Sequence, residues 1–146
     1  MAERTLRDIS EAMRDIDFCM LTTVSDGGLA GRPMSNNRNV DFDGDSYFFS
    51  DGDSRTVRDL ERDARVALAF QGSGGLLGVV GKPGIFIAIE GKGELLRDRA
   101  RLAEHWRGEL KRWWPQGIET PGLTLIKVRA DRIHYWDGGD ESELKL

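Results

Sequence analysis

The chain has 146 residues, enough for one domain with a substantial core. Hydrophobic residues make up 39% and charged residues 32%, with a net charge of −4, a balance that excludes the basic face of a general nucleic-acid binder. No apolar run reaches the length of a membrane span, and a single cysteine, Cys19, excludes an internal disulfide.

Met1-Ala2-Glu3-Arg4 runs straight into a charged amphipathic stretch, not a signal peptide. With the lone thiol, this predicts a cytoplasmic protein. Residues 3–16 place Leu6, Ile9, Met13 and Ile16 on one helical face. Phe18 to Val24 is β-prone, Ser25-Asp26-Gly27-Gly28 supplies a tight hairpin turn, and Leu29 to Asn36 returns as the second strand. Pro33 lies inside that strand and cannot donate to a ladder, so it marks an edge or a bulge. A turn at Asp43-Gly44 precedes a strand over Ser46 to Ser50. A helix follows over residues 54–64, with Asp53 or Ser54 as its cap and Val57, Leu60 and Ala64 inward.

Val66, Leu68 and Phe70 alternate with small residues as a further strand, and the glycine-rich stretch 71–84 reads as a flexible loop. Ile85, Ile87 and Ile89 open a strand that continues through Gly91 and Gly93 to Leu96; the glycines predict a bend or a close backbone approach. From Asp98 a helix is expected to carry Leu102, Trp106, Leu110 and Trp113 inward until Pro115 and Gly117 stop it. Leu123 to Val128 and Arg132 to Trp136 read as two last strands, and the polar tail from Asp137 as frayed. Six or seven strands with hairpin links and about three helices predict a mainly antiparallel α+β domain, closed as a small barrel to hide its edges.

Most familiar chemistry is absent. Gly91-Lys92-Gly93 lies within a strand, and Leu96 stands where a dinucleotide fingerprint needs glycine. Asp41, Asp43 and Asp45 alternate like a calcium loop, but Ser46 replaces the required glycine. His105 and His134 have no metal-ligand partner at useful spacing and are expected to be structural. Cys19 sits in an apolar strand as a small core residue, and no nucleophile elbow is present. Trp114 and Trp136 fall next to turns, so each should meet a partner subunit or a flat ligand.

One junction remains. Tyr47-Phe48-Phe49-Ser50 delivers the chain to Ser54-Arg55-Thr56 at a helix start, and Arg32 closes an earlier strand. Unpaired N–H groups, the positive dipole end, hydroxyls and a guanidinium together suit a phosphate. The plainer reading is a capped helix with a solvated arginine. Asp51 and Asp53 would repel an anion unless they point away.

With these residues placed, the chain resembles the FMN-binding split-barrel proteins related to pyridoxamine 5′-phosphate oxidase, and among them the general stress protein 26 subgroup. The similar features are Met20-Leu21-Thr22-Thr23, Gly28 to Met34, Tyr47 to Ser50, Ser54 to Val57, Gly91, Trp106, Trp113 to Gly117, and Trp136-Asp137. The resemblance implies a six-stranded antiparallel split β-barrel with flanking helices. It also implies a homodimer with FMN at the subunit interface. Arg32 and Ser54-Arg55-Thr56 would hold the phosphate. Backbone along Pro33-Met34-Ser35-Asn36 and around Phe49-Ser50 would line the ring, and Trp114 from the partner chain would close the site.

Thr56 stands where many relatives carry lysine. Arg132-Ile133-His134 mimics the substrate element of the vitamin oxidase but falls in a strand, so that activity is not carried over. The expected function is an FMN-binding, flavin-dependent redox protein of the stress response, without membrane or nucleic-acid partners. The alternatives are a ligand-sensing or structural stress protein with a vestigial flavin site, and a split barrel binding a deazaflavin or haem.

Overall fold

Alternating inward residues on successive strands meet in register. In the computed structural model, which describes residues 5–36, 41–72 and 84–146, the strands are β1 Phe18–Ser25, β2 Gly28–Ser35, β3 Asp45–Ser50, β4 Arg65–Gly72, β5 Ile85–Leu96, β6 Thr124–Asp137 and β7 Asp140–Lys145. Every pairing is antiparallel, in the order β2-β1-β4-β5-β6-β3, with β7 also on β6. Leu21, Leu68, Ile89 and Ile133 form one row across four strands, each at most 1% exposed. Burying each such side chain contributes about 1.5–3 kcal/mol. This is the split barrel that the sequence predicts.

The hairpin from β1 to β2 turns on Asp26 (φ 49°) and Gly27 (φ 81°), the two positive angles that a type I′ turn requires. The helices are α1 Leu6–Met13, α2 Arg55–Arg62 and α3 Arg99–His105. Thr5 and Asp8 form a capping box that starts α1, and Ser54 caps α2. Ile9, Met13 and the following Ile16 enter the core. α2 packs on β1 and β5, with Leu60 against Gly93, where an added Cβ would lie 3.0 Å from the leucine.

Three expectations are corrected. The last strands are one strand, β6, not two. Arg129-Ala130-Asp131 looks like a strand break, but it is a bulge within β6, where Asp131 is the extra residue opposite Glu90 and Gly91 of β5. The register shifts between Glu90 and Gly91, and an added Cβ on Gly91 would sit 2.1 Å from the Arg129 carbonyl. The tail does not fray: after a turn at Gly138 it pairs with β6 as β7, aided by Arg132–Glu143 (3.3 Å) and His134–Glu141 contacts. The third helix ends at His105, because Trp106 and Arg107 are extended (ψ 137° at both) and Gly108 starts a separate 3₁₀ turn over Gly108–Arg112. The periodicity that would bury Trp113 is lost there, and Trp113 is 54% exposed with the Arg112 guanidinium 5.3 Å from its ring. Trp106 is half-buried and packs edge-on against Phe49. Of the glycine-rich loop, residues 73–83 lie outside the described residues.

Candidate functional site

The sheet path ends at β2 on one side and β3 on the other, so the seam of the barrel runs between these strands. At one end of the seam α2 begins. Ser54 accepts from the Val57 N–H (3.2 Å) and shares a hydrogen bond with Ser50 (2.8 Å). The Arg55 and Thr56 N–H groups precede it in the first turn, where no intrahelical partner exists. Asp51 is turned onto Trp114, accepting from its indole N–H at 2.8 Å. Gly52 fits there because it lacks a side chain; an added Cβ would lie 2.3 Å from the Gly122 carbonyl.

Arg32 and Arg55 reach toward one buried carboxylate. The inward row of β1 is apolar at Cys19 and Leu21 but polar at Thr23 and Ser25, and both hydroxyls donate to Asp59 on α2 (2.8 and 3.1 Å). Arg32 donates to Thr23 (2.8 Å) and lies 3.4 Å from Asp59, while Arg55 Nε donates to Ser25 (2.8 Å). Burial at 3% exposure pushes the Asp59 carboxyl up, but the hydroxyl hydrogen bonds and the two guanidinium charges outweigh it and hold it below the ordinary range.

At the other end of the seam lies a cleft of about 310 Å³, within the size range of ligand sites. The structure brings Pro33, Met34, Ser35, Asn36, Phe49 and Trp114 together on its walls. Asn36 is fixed by its amide donating to the Met13 and Ile16 carbonyls, both at 2.9 Å. Trp114 is half-buried in its own chain, with its ring 6.3 Å from Phe49. Arg32, Ser50, Ser54, Arg55 and Thr56 stand outside the cleft at the helix end, and Thr56 is only 6% exposed. The two groups are neighbours along β2: Arg32 is opposite Leu21 and Ser35 opposite Phe18, three residues or roughly 10 Å apart.

Several cleft residues escape sequence reasoning. Tyr47 and His105 stack at 3.7 Å on one wall, joined by Arg107 and Trp113. Burial, and then Asp45, Asp43 and Glu104, push the Tyr47 phenol above its ordinary range. Asp59 is also missed, although polar residues at the inward positions of β1 signal a buried polar partner. Arg132 and His134 pair with Glu143 and Glu141 of β7 and do not line the cleft. Cys19 is buried, and burial raises its thiol to about 12, so it is inert as a nucleophile. Among the described residues, no cluster of histidine, cysteine or carboxylates could hold a metal ion, and no helix is long and apolar enough to cross a membrane.

Comparison with known proteins agrees with this fold. Residues 4–146 match the family described as "Pyridoxamine 5'-phosphate oxidase like". Protein bli-3 of Neurospora crassa is 24% identical over 143 residues, which are 91% of this chain and 65% of that protein, so the chain spans just under two thirds of that relative. The structure of a protein related to general stress protein 26, from Clostridium acetobutylicum, superposes with a TM-score of 0.79 at 20% identity, covering 100% of this chain and 97% of that one. General Stress Protein 26 from Bacillus anthracis gives 0.73 at 25% identity, covering 94% and 95%. Structures of the same fold also include a FAD-binding protein from Mesorhizobium loti (TM-score 0.64, 16% identity, 84% and 87% covered) and a heme binding protein from Mycobacterium smegmatis (0.71, 14%, 99% and 60%).

Proposed function

Because this chain belongs to the pyridoxamine 5′-phosphate oxidase-like family, we propose that it is an FMN-binding flavoprotein with a redox role in the stress response. The observation that carries this reading is the arrangement along the seam: a cleft against edge strand β2, continued by Arg32 to the arginines, hydroxyls and helix opening of α2. Those groups fit a phosphate by chemistry, since guanidinium pairs and helix N–H groups are its common partners. The cleft fits a flat ring, with Phe49, Trp114 and the Tyr47–His105 stack as apolar walls. An edge strand also leaves part of its backbone without ladder partners, and Pro33 removes one donor from that edge.

In this reading Arg55, Ser54 and the first N–H groups of α2 hold the phosphate, with Arg32 behind them. Pro33, Met34, Ser35 and Asn36 orient the ring, and Phe49 and Trp114 keep water from it. The flavin, when bound, supplies the electron chemistry. Arg132 and His134 are committed to β7, which supports separating this chain from the vitamin oxidase activity. The stress role rests on the two neighbours named general stress protein 26.

A homodimer belongs to the same proposal. Phe18 (62%), Met20 (45%) and Phe86 (41%) are exposed on the sheet, and Trp113 is exposed at the cleft, apolar area that a two-fold copy would cover. An absorbance spectrum of the purified protein tests the reading. Flavin bands, and FMN released on denaturation, are expected; a deazaflavin or haem spectrum, or no FMN uptake by the stripped protein, would overturn it.

A further inference from the structure

Asp59 is 3% exposed and terminates two hydrogen-bond relays. Its Oδ2 accepts from the Thr23 hydroxyl at 2.8 Å and its Oδ1 from the Ser25 hydroxyl at 3.1 Å. Each hydroxyl in turn accepts from an arginine at 2.8 Å, Thr23 from Arg32 Nη1 and Ser25 from Arg55 Nε. A guanidinium has only donors and a hydroxyl only one proton. The direction of both relays is therefore forced: guanidinium to hydroxyl to carboxylate. An ionised carboxylate ends both. An amide ends only one, because its NH₂ would face a hydroxyl that already accepts from arginine and would leave the hydroxyl proton without an acceptor.

We propose that Asp59 is a positioning residue for phosphate recognition: through Thr23 and a direct 3.4 Å contact it fixes the Arg32 guanidinium behind the site, and through Ser25 alone it fixes that of Arg55, and so strengthens the hold on an anion of its own sign. The proposal rests on the FMN reading above. A carboxylate could instead weaken the site by occupying its arginines. Several features decide against that. Asp59 meets Arg55 only through Ser25, by way of Nε, so the Nη fork of the exposed Arg55 faces outward with no hydrogen bond to another described residue. Two guanidiniums against one carboxylate leave the cluster positive. Holding a long side chain in place before binding removes an ordering loss that binding would otherwise carry.

The test compares FMN with riboflavin, which has the same ring and no phosphate, by fluorescence titration of the full-length protein and its variants. Asp59→Asn is expected to weaken FMN about tenfold, as loss of a charge-assisted contact does, and riboflavin by less than about twofold. Ser25→Ala, which cuts only the Arg55 relay and is the milder change to the fold, is expected to give a smaller loss confined to FMN. In an Arg55→Ala background the effect of Ser25→Ala should disappear, which a purely structural role would not produce. An unchanged FMN-to-riboflavin ratio in Asp59→Asn, or tighter FMN binding, overturns the proposal while leaving the flavin reading intact. If Asp59→Asn does not fold, the same comparison for Ser25→Ala decides the matter. Failure of the unmodified protein to bind FMN overturns the flavin reading itself, and with it this one.

Discussion

The two ends of the barrel seam are held by different forces. At the α2 end, Asp59, Thr23, Ser25, Arg32 and Arg55 are joined by directional hydrogen bonds around a buried charge. At the cleft end, rings meet rings: Tyr47 on His105, Phe49 on Trp106 and Trp114. Hydrogen bonds to an ion fix angle and distance, whereas ring contacts tolerate sliding. One continuous seam thus joins a rigid end suited to a small anion with a more adaptable end suited to a flat, variable ligand.

The largest expected effect comes from removing the ion at the rigid end. Asp59→Ala leaves Arg32, whose side chain is 19% exposed, without its counter-charge and orphans two hydroxyls. A loss of about 3 kcal/mol in denaturant unfolding is expected, the scale for breaking a buried ion pair from one side. At the other end, His105→Ala removes one ring stack and should lose only about 1 kcal/mol. Equal losses would mean that the two ends are not built differently.

Ligand affinity gives the next contrast. Arg55→Ala should weaken FMN by about 1.5–3 kcal/mol, the range of hydrogen bonds to a charged group. Arg107→Ala at the cleft should do less, because Arg107 is paired with Glu109 at 2.8 Å. Equal dissociation constants for the two variants would remove Arg55 from the site.

Titration should separate the ends as well. The folded Asp59 carboxyl lies below its unfolded range, so its stabilisation is present above that range and is lost as pH falls through the folded value. Tyr47 is shifted the other way: its stabilisation is present below the ordinary phenol range and is lost as pH rises through its folded value. Acid should therefore loosen the α2 end and alkali the cleft end. Asp63, held at about 2 by Arg65, also titrates below the ordinary carboxylate range. The check is therefore comparative: Asp59→Ala should show a flatter acid dependence of stability than the parent, and identical slopes would sink the assignment.

How far these ends were legible in the sequence follows from the same contrast. Short-range rules sufficed where a decision is local: the Asp26-Gly27 turn, the Ser54 cap, the alternation of Val66, Leu68 and Phe70, and the close approach at Gly91. They failed where the decision is tertiary. The apolar pattern of residues 99–113 does not announce that the chain leaves the helix at Trp106, because Leu102, Trp106 and Leu110 are at good helical spacing. The cue was Gly108 within the pattern, which was outweighed by the apolar positions. Asp59 was missed for another reason: a single acid on a helix looks solvated until Thr23 and Ser25, 36 and 34 residues away, are seen to face it. Arg32 and Met34 share a face of β2 yet serve different parts of the seam, a division set by position along the strand against α2 and the cleft rather than by alternation.

The smallest effects concern the two adjacent tryptophans, and they sharpen the comparison at its adaptable end. Trp114 is tied to its own chain by the indole hydrogen bond to Asp51 and by Phe49, while Trp113 is exposed and touched by Arg112. In the flavin-free protein Trp114→Ala should lose about 1 kcal/mol, the net value of one hydrogen bond. Trp113→Ala should stay within about 0.5 kcal/mol, as surface changes do, when measured on dilute protein. With flavin bound, the roles divide further. Trp114 lines the cleft of its own chain, so its loss should change flavin fluorescence at any protein concentration. Trp113 lines the same cleft but is exposed, so its loss should change flavin fluorescence less than loss of Trp114, and more where sedimentation shows a dimer that covers it. A Trp113→Ala variant with unaltered flavin fluorescence and unaltered dimerisation would leave Trp114 alone to shield the ring, and would make each cleft a property of a single chain.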